Sequence, residues 1–404
     1  MNILLAGNCN WVNIIRNWII PLSAAGFRIT FLCDDEPIDP LPPTIVEYVT
    51  LRNSAIPLFG VAALCKLSIG IKSAIKQKTE LKRLRHYWNR SFSRLDDLRS
   101  FLKSRKFALV HCHFLNRPVS VTALFGTLDL PIITSIHGSD LYVGREISAT
   151  DRKIIERSFE KSQFIHVPGS REESAALSLG CARDKIVRKP WFFSTDSFRP
   201  PDDTQEVARL RCRWKIPLKS DVILSVRNLK PIYDLSTTLE AFSKVLSVSE
   251  NCFMVIAGEG ECRRELDEQA RRAGLLERLM FVGRVSSADL IELYQLADLY
   301  VQSPKSDALS YSLLEALSCG LPAVSTNVGS NTDILEYINH DEPGRHVLRL
   351  FEVGNADEMA RLMLRHLEQP VKRFKETPAW ISRNFGVHQG IEWCRKLYEL
   401  AIDR

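Results

Sequence analysis

Residues 1–33 read MNILLAGNCNWVNIIRNWIIPLSAAGFRITFLC, and two kinds of hydrophobic pattern alternate along them. Asn2 to Ala6 is a short apolar run that ends in Gly-Asn, and Arg28 to Cys33 is a second run of the same kind. Between them, apolar residues recur at helical spacing from Ile14 to Leu22, and a glycine ends the pattern. Because two buried strands joined by a helix run parallel, this stretch predicts an α/β fold with a parallel sheet.

A second alternation of strand and helix patterns begins after the polar, proline-containing stretch at residues 197–205. Its helical segments separate short apolar runs of the kind that forms buried parallel strands. These runs are Asp221–Val226, Phe253–Ala257, Leu279–Val282, Leu299–Gln302 and Ala323–Thr326. The sequence therefore predicts two doubly wound, Rossmann-like domains, at residues 1–196 and 206–380. The carboxyl ends of parallel strands carry ligand sites, so we expect the two domains to face a cleft.

Length and composition limit the class of protein to which this chain can belong. The chain has 404 residues, of which 25% are charged, and its net charge of +6 is modest. These values favour a folded protein of two domains over a disordered chain. The ten cysteines form no C-x-x-C pair, a pattern typical of reduced thiols, so we expect a cytoplasmic protein. No apolar run is long and uninterrupted enough to predict a transmembrane helix.

Positive charge concentrates at residues 66–106, which hold thirteen Lys and Arg against three acidic residues. With the apolar segment before it, the range 56–106 predicts a helix on an anionic membrane surface. A solvated surface helix is the alternative interpretation. We expect no nucleic-acid partner, because no recognition module accompanies the charge.

The segment most specific for chemistry spans residues 306–322 and reads SDALSYSLLEALSCGLP. Asp307 lies in a loop before a predicted helix, and Glu315 lies about one turn inside it. A carboxylate accepts two hydrogen bonds from a vicinal diol, so Glu315 is a candidate for ribose hydroxyls and Asp307 for hydroxyls of a transferred sugar. Amides at the start of the helix can hold a diphosphate. From spacing alone, a surface glutamate and a capping aspartate are an equally good interpretation.

This segment resembles the signature of glycosyltransferase family 4, which has Glu, seven residues, Glu and then Ala-small-Gly-x-Pro. Asp307 stands in place of the first glutamate. The likeness covers the chain apart from residues 50–105, and it implies the GT-B fold with a terminal helix, in residues 381–404, that packs back on the first domain. It also implies a retaining transfer of a hexosyl group from a nucleotide-sugar to a glycan or lipid-linked acceptor, in cell-surface polysaccharide or glycolipid synthesis.

The resemblance also implies roles for individual residues. His137, in Ser135-Ile-His137-Gly138-Ser-Asp140, and Asp307 are the candidate catalytic residues. The candidate donor-binding residues are Glu315, Arg227, Lys230, Asn228, Ser310, Gly283, Arg284 and Val285. The candidate acceptor-side residues are Gly7, Asn8, His113 and Asp140.

Two stretches depart from the family pattern. After the first strand of the second domain the family has an arginine and a lysine that neutralise the diphosphate, and this chain has Asn228 and Tyr233 there. Arg227 and Lys230 lie close by, and we expect them to supply the missing charge. The alternative is that both are ordinary surface cations. Trp191-Phe-Phe-Ser194 replaces the Asn-Gly-Val-Asp that the family often has at the hinge.

The sequence predicts no metal site. Asp-x-Asp is absent, so a metal that bridges to a diphosphate has no evident ligands. His111 and His113 alternate along one strand without a third ligand, and we expect one of the two to point into the core. We therefore expect neither a metal nor a cofactor.

Two other functions fit the same residues. A nucleotide-sugar 2-epimerase of similar fold would use a donor without an acceptor, and incubation with the donor alone discriminates it. The second alternative function is that of a non-catalytic relative that only binds the nucleotide-sugar. Asn228 and Tyr233, which replace the family's two cations, favour this interpretation. Binding of a donor without hydrolysis or transfer would identify that relative.

Overall fold

The structure is a computed structural model of the chain. The residues it describes are 1–7, 18–33, 46–50, 104–113, 129–137, 141, 147, 149–307, 309–341, 346–368 and 373–404. The chain divides into two compact units. Unit 1 comprises Met1–Phe193 and Val387–Arg404, and unit 2 comprises Ser194–Gly386.

Unit 1 is built on a parallel sheet of seven strands in the order β3-β2-β1-β4-β5-β6-β7. The strands are β1 (Asn2–Gly7), β2 (Arg28–Cys33), β3 (Val46–Thr50), β4 (Leu109–His113), β5 (Ile132–Ser135), β6 (Phe164–Val167) and β7 (Ile186–Arg188). Apolar runs such as Ile3 to Ala6 are fully buried, as expected for strands covered on both faces. The strand order reverses between β1 and β4, so ligands are expected at the carboxyl ends of these two strands.

Unit 2 contains a second parallel sheet, of six strands in the order β10-β9-β8-β11-β12-β13. The strands are β8 (Asp221–Val226), β9 (Cys252–Ala257), β10 (Leu279–Gly283), β11 (Leu299–Val301), β12 (Ala323–Thr326) and β13 (Leu348–Phe351). The order has the same form as in unit 1, with its reversal between β8 and β11. The predicted α/β class with two doubly wound, Rossmann-like domains is confirmed.

Helices alternate with the strands in both units. The described helices are α1 (Ile20–Ala24), α2 (Ala149–Lys161), α3 (Ser170–Ser178), α4 (Thr204–Arg213), α5 (Leu235–Val248), α6 (Arg263–Arg272), α7 (Ser287–Leu296), α8 (Tyr311–Ser318), α9 (Asn331–Asp341), α10 (Ala356–Leu367), α11 (Thr377–Phe385) and α12 (Val387–Asp403). Four of the described helices begin with a side-chain cap: Asp203 before α4, Ser286 before α7, Ser310 before α8 and Asn355 before α10. Each cap accepts a hydrogen bond from the amide three residues later, which satisfies an otherwise unpaired donor.

A half-buried arginine, Arg373, ties together the ends of two helices of unit 2. Arg373 donates from Nη1 to the carbonyl of Cys319, at 2.7 Å, and from Nη2 to the carbonyls of Tyr294 and Ala297, at 3.0 and 2.8 Å. These carbonyls lie at the C-terminal ends of α7 and α8, where unpaired carbonyls carry partial negative charge. Burial lowers the pKa of Arg373 to about 10, so it remains cationic near neutral pH. The position of α8 is thereby fixed relative to α7.

The last helix is part of the core of unit 1. It packs against α1 and β4. Gly390 lies so close to the Phe192 ring that a Cβ there would be 2.0 Å from the ring atom Cγ. The hydroxyl of Tyr398 lies 2.9 Å from Nδ1 of His111, and both side chains are fully buried.

Among the residues that the structure describes, no helix has the length and apolar character needed to cross a bilayer. Of the basic range 56–106, only residues 104–106 are described. The predicted membrane-surface helix therefore lies outside the described residues.

Candidate functional site

The carboxyl edge of the unit 2 sheet brings three strand ends together. The loops after β8, β9 and β10 continue the hydrogen-bond ladder beyond the strands. The amide of Arg227 donates to the carbonyl of Ala257 at 3.0 Å, and the amide of Gly258 donates to the carbonyl of Gly283 at 2.8 Å. The backbone of the loop after β8 is therefore held by its neighbours, at the point where the strand order reverses.

Two glycines allow the loops after β8 and β9 to approach closely. Gly258 has φ of +143°, and a Cβ there would lie 1.9 Å from the carbonyl oxygen of Arg227. A Cβ at Gly260 would lie 2.3 Å from the carbonyl oxygen of Leu229. Because no side chain fits at either position, the backbone next to Arg227 requires glycine there.

Arg227 turns inward from the end of β8 and forms the centre of the site. Its Nη2 lies 2.7 Å from Oδ2 of Asp307, and the two side chains are 10% and 17% exposed. The same nitrogen donates to Gln302 Oε1 and Ser310 Oγ. The Tyr233 ring packs on the guanidinium, whose carbon lies 4.9 Å from the ring centroid. Two candidate residues, Arg227 and Asp307, thus contact each other directly.

The guanidinium of Arg227 stays charged. Burial disfavours its charged form, but Asp307, Tyr300 and Tyr233 together keep the pKa of this guanidinium above its usual value. Burial raises the pKa of Tyr233, so its ring packs on the cation as a neutral phenol. A buried ion pair is favourable only when its other hydrogen-bonding groups also have partners. The acceptors on Gln302 and Ser310 therefore help to stabilise this pair.

The helix α8 begins beside this ion pair. Ser310 is its N-cap and accepts a hydrogen bond from the amide of Leu313 at 3.3 Å. The hydroxyls of Ser310 and Tyr300 both donate to Gln302 Oε1, at 2.9 and 3.0 Å, and Gln302 Nε2 donates to Ser325 Oγ at 2.8 Å. The amides of the first helical turn and the guanidinium of Arg227 together make this end of α8 suitable for an anion.

Glu315 lies about one turn inside α8 and is half-buried. Its Oε2 accepts a hydrogen bond from the hydroxyl of Tyr294 at 2.9 Å, and that hydroxyl also lies 3.2 Å from the carbonyl of Ser312. Burial, and then the charge of Glu315, raise the pKa of Tyr294 well above its usual value. The phenol therefore stays protonated, and it orients the carboxylate of Glu315.

The other predicted donor-binding residues lie at the same edge of the sheet. Asn228 and Lys230 are exposed in the loop after β8. Strand β10 ends at Gly283, whose φ of +71° is in the left-handed region, and exposed Arg284 and half-buried Val285 follow it. Their contacts with a donor stay predictions.

Several polar residues of this site were missed by the sequence analysis. Tyr300 and Tyr294 lie in strand and helix patterns that predict core residues, which hides their hydroxyl groups. Gln302 was recognisable, because it is a polar residue directly after a buried strand, where ligands bind. Lys305 follows in the same loop, exposed, with its Nζ 3.7 Å from Asp234 Oδ1.

The carboxyl edge of the unit 1 sheet holds four buried histidines, here called the histidine cluster: His111, His113, His137 and His166. His111 Nε2 lies 2.7 Å from the hydroxyl of Ser135, which lies 2.8 Å from His166 Nδ1. His113 Nδ1 lies 3.3 Å from His137 Nε2. The predicted catalytic and acceptor-side histidines, His137 and His113, are therefore neighbours.

Two indole rings enclose the histidine cluster. Trp18 lies edge-on to His111 and His113, with ring centroids 5.1 and 4.7 Å apart. Trp191 stacks on His137 with the centroids 4.4 Å apart. The departure from the family pattern at Trp191 thus places an aromatic face against the predicted catalytic histidine.

Burial keeps three imidazoles of this cluster neutral. It lowers the pKa of His113 to about 3 and that of His166 to about 4, and it lowers the pKa of His111 well below its usual value. The expectation that only one of His111 and His113 points into the core was wrong. Both are fully buried and their rings stack at 4.7 Å, because residues two apart on a strand share a face.

The remaining predicted residues of unit 1 are placed only in part. Gly7 ends β1. Asn8 and Asp140 lie outside the described residues. Within the described part of the chain, no three His, Cys, Asp or Glu side chains are arranged to hold a metal ion.

Family models match both halves of the chain. A model described as glycosyl transferases group 1 matches residues 207–383. A model described as Glycosyltransferase Family 4 matches residues 14–195. Together they span most of the sequence and include the signature segment around α8.

Curated relatives share about a quarter or less of their residues with this chain over the matched part. An uncharacterized glycosyltransferase of Methanocaldococcus jannaschii is 25% identical over 251 residues, which are 59% of this chain and 62% of that protein. The 2-deoxystreptamine glucosyltransferase of Streptomyces kanamyceticus is 22% identical over 287 residues, 68% of this chain and 72% of that protein. The matched part thus spans less than two thirds of the first of these relatives.

A solved structure of similar fold is that of Anabaena HepE in complex with UDP. It has a TM-score of 0.74 and 14% identity, and the match covers 99% of this chain and 100% of that one. At this identity the likeness shows the fold alone. The strand order of both units, the segment around α8 and the two family matches lead to one conclusion. This chain belongs to the group 1 glycosyltransferases of the family 4 type, with the GT-B fold.

Proposed function

We propose that this protein moves a sugar from a nucleotide-sugar donor to a glycan or lipid-linked acceptor and retains the configuration of the transferred carbon. The observation that carries the proposal is the N-terminal end of α8, where Arg227 and Asp307 meet beside Ser310 and Glu315 follows one turn later. This arrangement combines groups for an anion with a carboxylate for a diol. A nucleoside diphosphate presents both, as its diphosphate and its ribose.

Each part of the donor has a partner in this proposal. Glu315, oriented by Tyr294, accepts hydrogen bonds from the ribose hydroxyls. Arg227 and Lys230 neutralise the diphosphate together with the first amides of α8. The loop after β10 lies beside the base. Because Anabaena HepE was solved in complex with UDP, UDP-sugars are the first donors to test.

The reaction in this proposal needs no protein nucleophile. The acceptor oxygen attacks the anomeric carbon from the face that the diphosphate leaves. A bond from that carbon to the acceptor oxygen forms as its bond to the diphosphate oxygen breaks, and the acceptor proton passes to the leaving diphosphate. Preorganised cations and amides stabilise the charge that develops there. His137 orients the acceptor. No metal or cofactor takes part, so transfer should persist in EDTA.

The proposed setting is the cytoplasmic face of a membrane, in the synthesis of a cell-surface polysaccharide or glycolipid. A lipid-linked acceptor accounts for the basic composition of the range 56–106. Co-sedimentation with vesicles that contain an anionic phospholipid tests this setting. Equal binding to neutral vesicles would contradict it.

The experiment that tests the function begins with a panel of UDP-, GDP- and ADP-sugars in a thermal-shift assay. The donor that stabilises the protein is then incubated with lipid-linked and free glycan acceptors. Nuclear magnetic resonance of the product should show the donor's anomeric configuration. Inverted configuration contradicts retention. A new epimer from the donor alone identifies an epimerase, and binding without hydrolysis or transfer identifies a binding-only relative.

A further inference from the structure

Two of the positions that depart from the family pattern meet at one guanidinium. The sequence has Asn228 and Tyr233 where the family has its arginine and lysine, and Asp307 where it has a glutamate. In the structure, Tyr233 and Asp307 both contact Arg227, which stands one residue before the altered arginine position. Changes that are scattered along the sequence are thus parts of one spatial arrangement.

The backbone explains why Arg227 points inward. Its amide is paired with the carbonyl of Ala257 at 3.0 Å, and its carbonyl is covered by Gly258. With both backbone groups held by the neighbouring loop, the side chain extends towards the N-terminal end of α8.

The side chain of Arg227 is held on two sides. The carboxylate of Asp307 lies 2.7 Å from Nη2, and the carbon of the guanidinium lies over the Tyr233 ring, 4.9 Å from its centroid. A desolvated cation gains about as much stability from an aromatic face as from a charged hydrogen bond. An ammonium on Lys would fit this planar arrangement less well.

The guanidinium retains unused hydrogen-bond donors. Its three hydrogen bonds, to Gln302, Asp307 and Ser310, all leave from Nη2. Nε is buried and has no partner in the part of the chain that the structure describes. A buried donor without an acceptor lowers stability, so a purely structural ion pair would not be expected to leave one. A ligand with oxygen acceptors would satisfy it.

We propose that Arg227, Tyr233 and Asp307 form one unit in which Arg227 binds the diphosphate of the donor, while Tyr233 and Asp307 are positioning residues that hold its guanidinium. This inference rests on the proposed function and makes it more specific. In place of the family's arginine it puts an arginine supplied from position 227, with Lys230 in the same loop. Asp307 then acts on the donor through Arg227.

The experiment measures binding of UDP, inorganic pyrophosphate and uridine by isothermal titration calorimetry. R227A should lower the affinity for UDP and for pyrophosphate at least tenfold and leave that for uridine unchanged. D307N and Y233L should lower the same two affinities about threefold to tenfold, whereas Y233F, which keeps the ring, should bind as the wild type does. R213A, which removes an arginine from an exposed ion pair of unit 2, is the matched control.

Two further measurements separate positioning from structure. If the three residues act as one unit, D307N and Y233L should have no additional effect in an R227A background. Introducing N228R and Y233K into R227A restores the family pattern and should recover at least part of the lost UDP affinity. A merely structural role would not show this rescue. Thermal unfolding of every variant identifies any that fail to fold, and R227K and D307E then serve as milder substitutes.

The outcomes are distinguishable. Native UDP affinity in folded R227A, additive losses in the double variants, or no rescue by N228R and Y233K would overturn this inference and leave the glycosyltransferase proposal intact. A wild-type protein that binds none of UDP, GDP and ADP would overturn both.

Discussion

The two units share a strand order but place opposite chemistry at the carboxyl edges of their sheets. Unit 1 has buried imidazoles between indole rings, such as His137 against Trp191. Unit 2 has a charged guanidinium paired with a carboxylate, Arg227 with Asp307, among hydroxyl and amide groups. The same topology therefore supports an uncharged aromatic edge and a charged one. The difference is set by the few residues that directly follow each strand.

Acid pH should lower the stability of unit 1 more than that of unit 2, and this is the largest difference that we expect between them. The folded-state pKa values of His113, about 3, and His166, about 4, lie below the ordinary value of 6.5. Unfolded chains take up protons on these residues as pH falls below 6.5, and the folded unit does not. Stability is therefore full above pH 6.5 and is lost as pH falls towards 4. Between pH 7 and 5 the two histidines together cost unit 1 about 4 kcal/mol.

Unit 2 should lose less stability than unit 1 between pH 7 and pH 5. In unit 2, burial lowers the pKa of His366 to about 3, and this histidine accounts for about 2 kcal/mol. Hydrogen exchange of peptides from each unit at pH 7, 6 and 5 measures the two losses separately. H388Q changes an exposed histidine of unit 1 and should leave the profile unaltered. Equal losses in the two units would contradict the comparison.

Gly258→Ala should damage the charged edge and spare the aromatic one. The new Cβ would lie 1.9 Å from the carbonyl oxygen of Arg227, so the loop after β8 must move. We expect the free energy of unfolding of unit 2 to fall by about 3 kcal/mol or more, with loss of donor binding. Denaturant unfolding with hydrogen exchange measures the change in each unit.

The control for this variant is Gly274→Ala. Gly274 also has a positive φ, +68°, but a Cβ there meets nothing within 4 Å. Only conformational strain of about 1 kcal/mol is expected from it. If both variants lose the same stability, the close approach of Gly258 to the carbonyl of Arg227 does not add to the effect of the substitution.

Glu315→Ala should weaken donor binding with a smaller effect on folding. The ribose diol loses a charged acceptor, which is worth about 2 kcal/mol, or roughly thirtyfold in affinity. Calorimetry with the donor found in the panel and thermal unfolding measure the two effects. E268A removes an exposed glutamate of α6 and should change neither. Unchanged affinity with a large drop in melting temperature would make Glu315 structural.

Tyr398→Phe should have the smallest effect. It removes the hydroxyl that lies 2.9 Å from Nδ1 of His111 and keeps the ring in the core of unit 1. The hydroxyl also makes a hydrogen bond with the thiol of Cys394, and the loss of both weak contacts lowers the free energy of unfolding by about 1 kcal/mol. Denaturant unfolding at pH 7 measures it, and an unchanged midpoint would show that His111 does not depend on this partner.

The sequence was sufficient for the fold and for the elements that carry the site. Short apolar runs such as Asp221–Val226 predict parallel strands, since only buried strands lack a polar face. The spacing of Asp307 and Glu315 correctly predicts a loop residue and a helix residue. Local patterns determine both results, so no distant contact has to be known.

The contacts within the site could not be predicted in the same way. Arg227 and Asp307 are 80 residues apart, and their pairing depends on which strands become neighbours in the sheet. Tyr294 looks like a core residue in its helix, because its ring is buried and only its hydroxyl reaches Glu315. Periodicity reports which face is buried, and it does not report what a polar atom at the end of a buried side chain meets.

The discontinuity of unit 1 has a consequence for biosynthesis. Tyr398 follows His111 by 287 residues, so a ribosome that adds about 5–20 residues per second reaches it roughly 15 to 60 s later. Unit 2 is continuous in sequence and is synthesised in full within that interval. A nascent chain therefore carries an unfinished first unit for tens of seconds, with the surface that α12 will cover available to chaperones.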